Sequence, residues 1–144
     1  MKRKTVTVAA LCLGMFICLC PLVASGQGTV SKAVLGTGVT DKFQITGPTN
    51  VFPPDTPKIY CAWKVEGVKA GTPVRSVWIA EDVGKVAPPN YKIDEATFNP
   101  PAGAPSEGSF ALNQPNAGFP VGKYRLEIYM GSTLAKTLPF TVKK

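Results

Sequence analysis

The side chains able to do chemistry in this 144-residue chain are few: nine acids, sixteen Lys and Arg, four cysteines and no histidine. Two pairs of acids adjoin, Glu81-Asp82 and Asp94-Glu95. Paired carboxylates can hydrolyse glycosides or hold Ca²⁺. Neighbours in an extended strand point to opposite faces, so neither doublet forms a dyad by itself, and no Asp-x-Asp-x-Asp-Gly loop occurs. Their expected place is at solvated strand ends.

Without histidine, hydrolytic triads and most zinc sites lack their usual base or ligand. Ser132 stands four residues before Lys136, not the three of the common Ser/Lys motif, and reads as part of a turn. Gly36-Thr-Gly38 is too short to cradle a phosphate and precedes no helix. The expectation is a non-enzyme with no catalytic, metal or cofactor-binding residues.

The cysteines bear on compartment. Met1 to Lys4 is basic, no further charge appears until Lys32, and an apolar run from Val6 to Cys20 lies between. That order is the n-region and h-region of a secretory signal. Pro21 breaks the run, and cutting after Ser25 or Gly26 places small residues at the positions a signal peptidase reads. The expected organisation is a signal peptide over residues 1–26 and one domain over residues 27–144. An uncleaved anchor is the rival reading. Lipoprotein processing fits poorly, because Leu11, Ile17 and Leu19 precede Cys12, Cys18 and Cys20 where a small residue is normal.

Removal of the leader leaves Cys61 alone, so no disulfide within the chain is expected and an apolar core must hold the domain. Cys61 is expected to be a small buried hydrophobe, the competing role being an intermolecular bridge or reactive thiol.

Formal charge is +7. Lys2, Arg3 and Lys4 lie in the leader with no acid, so 13 basic and 9 acidic groups remain, a net +4. Those charges are interspersed rather than gathered into a basic face with stacking aromatics, so no nucleic-acid partner is expected.

The elements that must position these groups read as strands. Gly 14 and Pro 14 oppose helix interiors and suit short strands joined by turns. Lys58 to Glu66 places Ile59, Cys61, Trp63 and Val65 on one face, and Tyr124, Leu126, Ile128 and Met130 alternate with polar residues. Val77-Trp78-Ile79 predicts a central strand covered on both sides. Further strands are expected over residues 29–39, 91–98, 108–112 and 134–142, with Gly131-Ser132 as a type II′ hairpin turn. Residues 47–57 carry four prolines and are expected to be a loop. The fold class is therefore all-β, a single antiparallel β-sandwich of about seven strands.

Trp63 and Trp78 could offer a carbohydrate-stacking platform, but both lie in strong strands, where core packing is the expected role. Phe52, Phe98 and Phe119 sit in loops or at strand ends beside prolines and are the candidate binding residues, with capping of the sandwich ends as the competing role.

Gly122-Lys-Tyr124-Arg-Leu-Glu-Ile-Tyr-Met-Gly131, followed by Leu138-Pro-Phe140-Thr-Val142, resembles the closing hairpin of small exported bacterial immunoglobulin-like and fibronectin type III-like domains. Trp78 is placed like their core tryptophan and Tyr124 like the tyrosine that opens their sixth strand. The antibody-type disulfide and an Arg-Gly-Asp tripeptide are absent. The resemblance implies an immunoglobulin-like sandwich and leaves function open. The expectation is a secreted or periplasmic module, without stable membrane insertion after cleavage, whose loops or sheet edge engage another envelope or extracellular protein. Small-molecule or glycan binding is the alternative.

Overall fold

The computed structural model describes residues 28–103 and 105–144, and the expected leader with Cys12, Cys18 and Cys20 lies outside them. Alternating apolar and polar residues build nine strands: β1 (Thr29–Val39), β2 (Ile45–Pro48), β3 (Val51–Phe52), β4 (Lys58–Glu66), β5 (Val74–Asp82), β6 (Tyr91–Phe98), β7 (Ser106–Asn113), β8 (Gly122–Met130) and β9 (Thr133–Val142). They form two sheets, ordered β2-β1-β4-β7 and β3-β9-β8-β5-β6. Seven of the nine match the expected strands, and the all-β sandwich stands.

The two short strands correct the reading of residues 47–57 as a loop. Ile45–Pro48 pairs antiparallel with β1, opposing Gly36, Gly38 and Val39, and Val51–Phe52 pairs parallel with the end of β9. Pro48 is tolerated because β2 is an edge strand, where an N–H turned to solvent is dispensable. β2 covers only the last third of β1, and the rest of β1 remains a sheet edge.

Between the layers lies one apolar core in which Trp78, Tyr124, Phe52, Ile59, Leu126 and Ile128 are fully buried. Phe140 is its aromatic hub, stacked on Tyr124 at 5.1 Å and met edge-on by Phe52 and Trp78. Trp63 takes the core role as well, between Phe110 at 5.4 Å and Phe98 at 5.3 Å. Its indole crosses Gly108 of β7 so closely that a Cβ there would meet the ring. The indole N–H is buried without a hydrogen-bond partner.

Val77 and Ile79 point away from that core, yet both are buried. Their cover is a roof of long polar side chains laid along the outer face of β5, β6 and β8. Arg125 meets Glu127 at 2.7 Å and Glu81 at 3.2 Å, and also donates to Asn90. The Arg75 guanidinium lies 4.5 Å from the centre of the Tyr129 ring and pairs with Glu95, which Lys92 also reaches at 3.1 Å. The apolar triplet is thus covered on both sides, once by core and once by charged residues.

The β8–β9 hairpin closes through Gly131-Ser132. Gly131 has φ +60° while Ser132 is outside the left-handed region, the type II′ pattern, and Met130 opposes Thr133 across it.

Candidate apolar cleft at one end of the sandwich

β5 ends at Asp82 beside Lys123, at the opposite end of the sandwich from Thr29 and Glu66. Two turn-rich segments, residues 83–90 and 114–121, cross that end and form the walls of a cleft of about 400 Å³. Its floor is Ala80, Ile93 and Tyr124; one wall is Val83, Val86, Ala87 and Pro88, and the other is Ala117, Phe119 and Pro120. No charged side chain lines it.

Each wall is pinned by a bond that the local sequence makes available. The Tyr124 hydroxyl donates to the Pro120 carbonyl at 2.5 Å, tying residues 114–121 to the start of β8. Phe119 N–H donates to Pro54 O at 2.9 Å, and Gly118 N–H closes a turn on Pro115 O. On the other wall Gly84 N–H donates to the Asp82 carboxylate at 3.0 Å, and Asn90 N–H donates to Glu81 O at 3.1 Å. Burial pushes the Tyr124 hydroxyl up to about 12, so it remains a proton donor throughout the neutral range.

Side chains at the rim are apolar and open. Val86 is 70% exposed and Tyr91 52%. Apolar side chains left in water beside a preformed hollow mark a candidate binding site.

The three phenylalanines are not brought together. Phe119 lines the cleft, but at 3% exposure it is wall rather than contact surface. Phe52 is fully buried against Phe140, because the β3 pairing draws it under β9, and so it is no exposed contact. Phe98 is 39% exposed at the far end of β6, leaning on Trp63. Sequence reasoning missed Val86 and Tyr91. The available signal was Val86-Ala-Pro-Pro89, apolar residues inside a turn-forming segment that no strand face accounts for.

The acidic doublets are split as the strand geometry requires. Glu81 pairs with Arg125, while Asp82 caps the turn at Gly84. Asp94 accepts from the Glu95 N–H, and Glu95 pairs with Lys92 and Arg75. Three of the four are therefore engaged in ion pairs or a turn rather than simply solvated. The Lys92 hydrogen bond and charge hold the Glu95 carboxyl below its ordinary range. Among the described residues, no group of three or more His, Cys, Asp and Glu is gathered to hold a metal.

Cys61 is buried in the core, and desolvation pushes its thiol up to about 12. Leu126, two residues after Tyr124, stands where antibody domains supply the second cysteine of the intersheet bridge. A tyrosine whose hydroxyl reaches back four residues at the start of β8, with Trp78 buried on β5, completes the pattern. The fold is immunoglobulin-like. The crystal structure of an immunoglobulin-like protein from Pseudomonas aeruginosa superposes with a TM-score of 0.53 over 83% of this chain and 99% of that one, at 21% identity. The alkylpurine DNA glycosylase AlkC of Pseudomonas fluorescens (TM-score 0.49, 10% identity) and a Listeria innocua β-glucosidase (0.48, 7%) match 82% and 78% of the chain. The chain spans only 31% and 16% of those two proteins. No protein-family model and no curated protein matches the sequence.

Proposed function

We propose that this immunoglobulin-like domain is a non-enzymatic binding or assembly module, exported to the periplasm or beyond. In this reading the apolar cleft at one end of the sandwich engages another envelope or extracellular protein. The observation that carries it is the uncharged hollow of about 400 Å³ with Val86 and Tyr91 left open at its rim. Hydrophobic burial needs no reactive group, which suits a chain without histidine.

The test compares capture from envelope extracts by the chain and by its Val86→Asp variant. Val86 is 70% exposed, so the substitution costs little stability, within about 0.5 kcal/mol. A partner held by the parent and lost by the variant supports the reading; a partner held equally by both defeats it.

A small apolar molecule is the second reading, favoured by a cleft volume within the range of ligand pockets. A glycan platform of tryptophans has no support, since Trp63 and Trp78 are both buried.

A further inference from the structure

The two layers differ by one strand. β1 approaches β9 across the interior, and from that shared side the first sheet reaches β7 in two steps while the second reaches β6 in three. β6 therefore overhangs, and the strand position beside β7 that would cover it is vacant. The side chains of β6 register this. Phe98, Ala96, Asp94 and Tyr91 oppose Val74, Ser76, Trp78 and Ala80, four buried residues of β5, yet all four on β6 are exposed. The vacant position is one strand wide and runs into the cleft, whose floor includes Ile93 with Tyr91 at the rim.

The edge of β7 that faces this vacancy is the least guarded in the domain. Sheet edges are normally blunted by brevity, proline, bulges or charge. β2 has four residues and ends in Pro48, β3 has two, and the part of β1 that β2 leaves open carries Lys32 and a register shift between Val30 and Lys32. β6 is interrupted by a register shift and carries Lys92, Asp94 and Glu95. β7 pairs with β4 over eight residues without a shift, contains no proline, and has Glu107 as its one charge, 3.5 Å from Lys64.

We infer that the partner presents a single extended segment that hydrogen-bonds to the free edge of β7, lies over the inner face of β6 and seats an apolar side chain in the cleft. This rests on the binding-module reading and names the form of its partner. Main-chain bonds along an edge supply affinity, and adjoining hollows select alternate side chains. A folded second copy is excluded as the occupant. If β7 met β7, the β6 of each copy would stand where the other's β5 must go. The segment has alternate apolar residues toward Tyr91, Ile93 and Phe98. It also carries Lys or Arg at the level of Asp94, which has no ion pair among the described residues.

The experiment selects a displayed random dodecapeptide library on the purified chain, then resynthesises the best binder with backbone N-methyl groups at every second residue, in each of the two phases. One phase is expected to weaken binding at least tenfold and the other to leave it nearly unchanged, because only alternate amides face β7. Bound peptide is expected to slow hydrogen exchange of amides within Ser106–Asn113 at least tenfold and to leave β2 unaffected. Binders indifferent to both N-methyl phases, or protecting no β7 amide, overturn the strand-addition inference. If such binders are still weakened by Val86→Asp, the cleft reading survives alone. If the library yields no binder, or only binders indifferent to N-methylation, β7 protection and Val86→Asp alike, both fall.

Discussion

Trp78 sits 1% exposed between Leu126 and Asp94 of the neighbouring strands, with Phe140 against its ring edge at 6.0 Å. Removing so large a ring leaves a cavity that the two sheets cannot collapse to fill. Trp78→Ala is accordingly expected to cost roughly 3 to 5 kcal/mol, read from the midpoint of urea unfolding. Cys61 makes a second prediction at this scale. With burial holding its thiol near 12, the thiolate that alkylating agents need is scarce at pH 8. Its carbamidomethylation, followed by peptide mass spectrometry, is expected to be at least about 100-fold slower in the folded chain than in urea. Both roles were legible in the sequence, since a tryptophan in an uninterrupted apolar triplet and a cysteine on the apolar face of an alternating strand have few other places to go. Phe52 was not legible. Its neighbourhood of prolines reads as loop, and only the parallel pairing with β9, a contact between distant parts of the chain, draws it inside.

At the scale of elements, the pairing of β4 with β7 carries a tight packing constraint. Gly108 exists there because the Trp63 indole occupies the space of a side chain. Gly108→Ala is expected to force that ring against Phe98 and destabilise the domain by roughly 1 to 3 kcal/mol, seen as a lower thermal midpoint. The outer roof of β5, β6 and β8 illustrates a different balance. Burial alone would raise the Glu127 carboxyl, but hydrogen bonds from Tyr129 and Arg125, with the charges of Arg125 and Arg75, outweigh it and hold the group below its ordinary range. β4, β7 and β8 were readable because period-two alternation survives within them, and β5 because of its apolar triplet. β2 and β3 were not, because strands of four and two residues carry no period to read. The cleft escaped for a related reason: its walls are turns, whose apolar residues follow no periodicity, and what gathers them is the pinning of each turn by Tyr124 and Asp82.

For the whole molecule, the buried acids set the alkaline limit. An unfolded chain releases the Cys61 proton near 9.0 and that of Tyr124 near 10.0, whereas the folded chain holds both to about 12. Their folded pKa values are raised, so the stability linked to them is complete below pH 9 and is lost as pH rises toward 12. Urea midpoints measured from pH 7 to 11 are expected to fall above pH 9, and Cys61→Ser is expected to flatten the onset of that fall. The same architecture places the cleft at the end remote from Thr29, on a sandwich whose sheets differ by one strand. The most direct test of the cleft as the partner-facing surface is site-specific photocrosslinking in producing cells. A photoreactive residue is placed at Val86 in one variant and at Leu134, exposed at the opposite end, in another. The cleft account predicts a discrete adduct from position 86 and none from position 134; adducts from position 134 alone, or equally from both, contradict it.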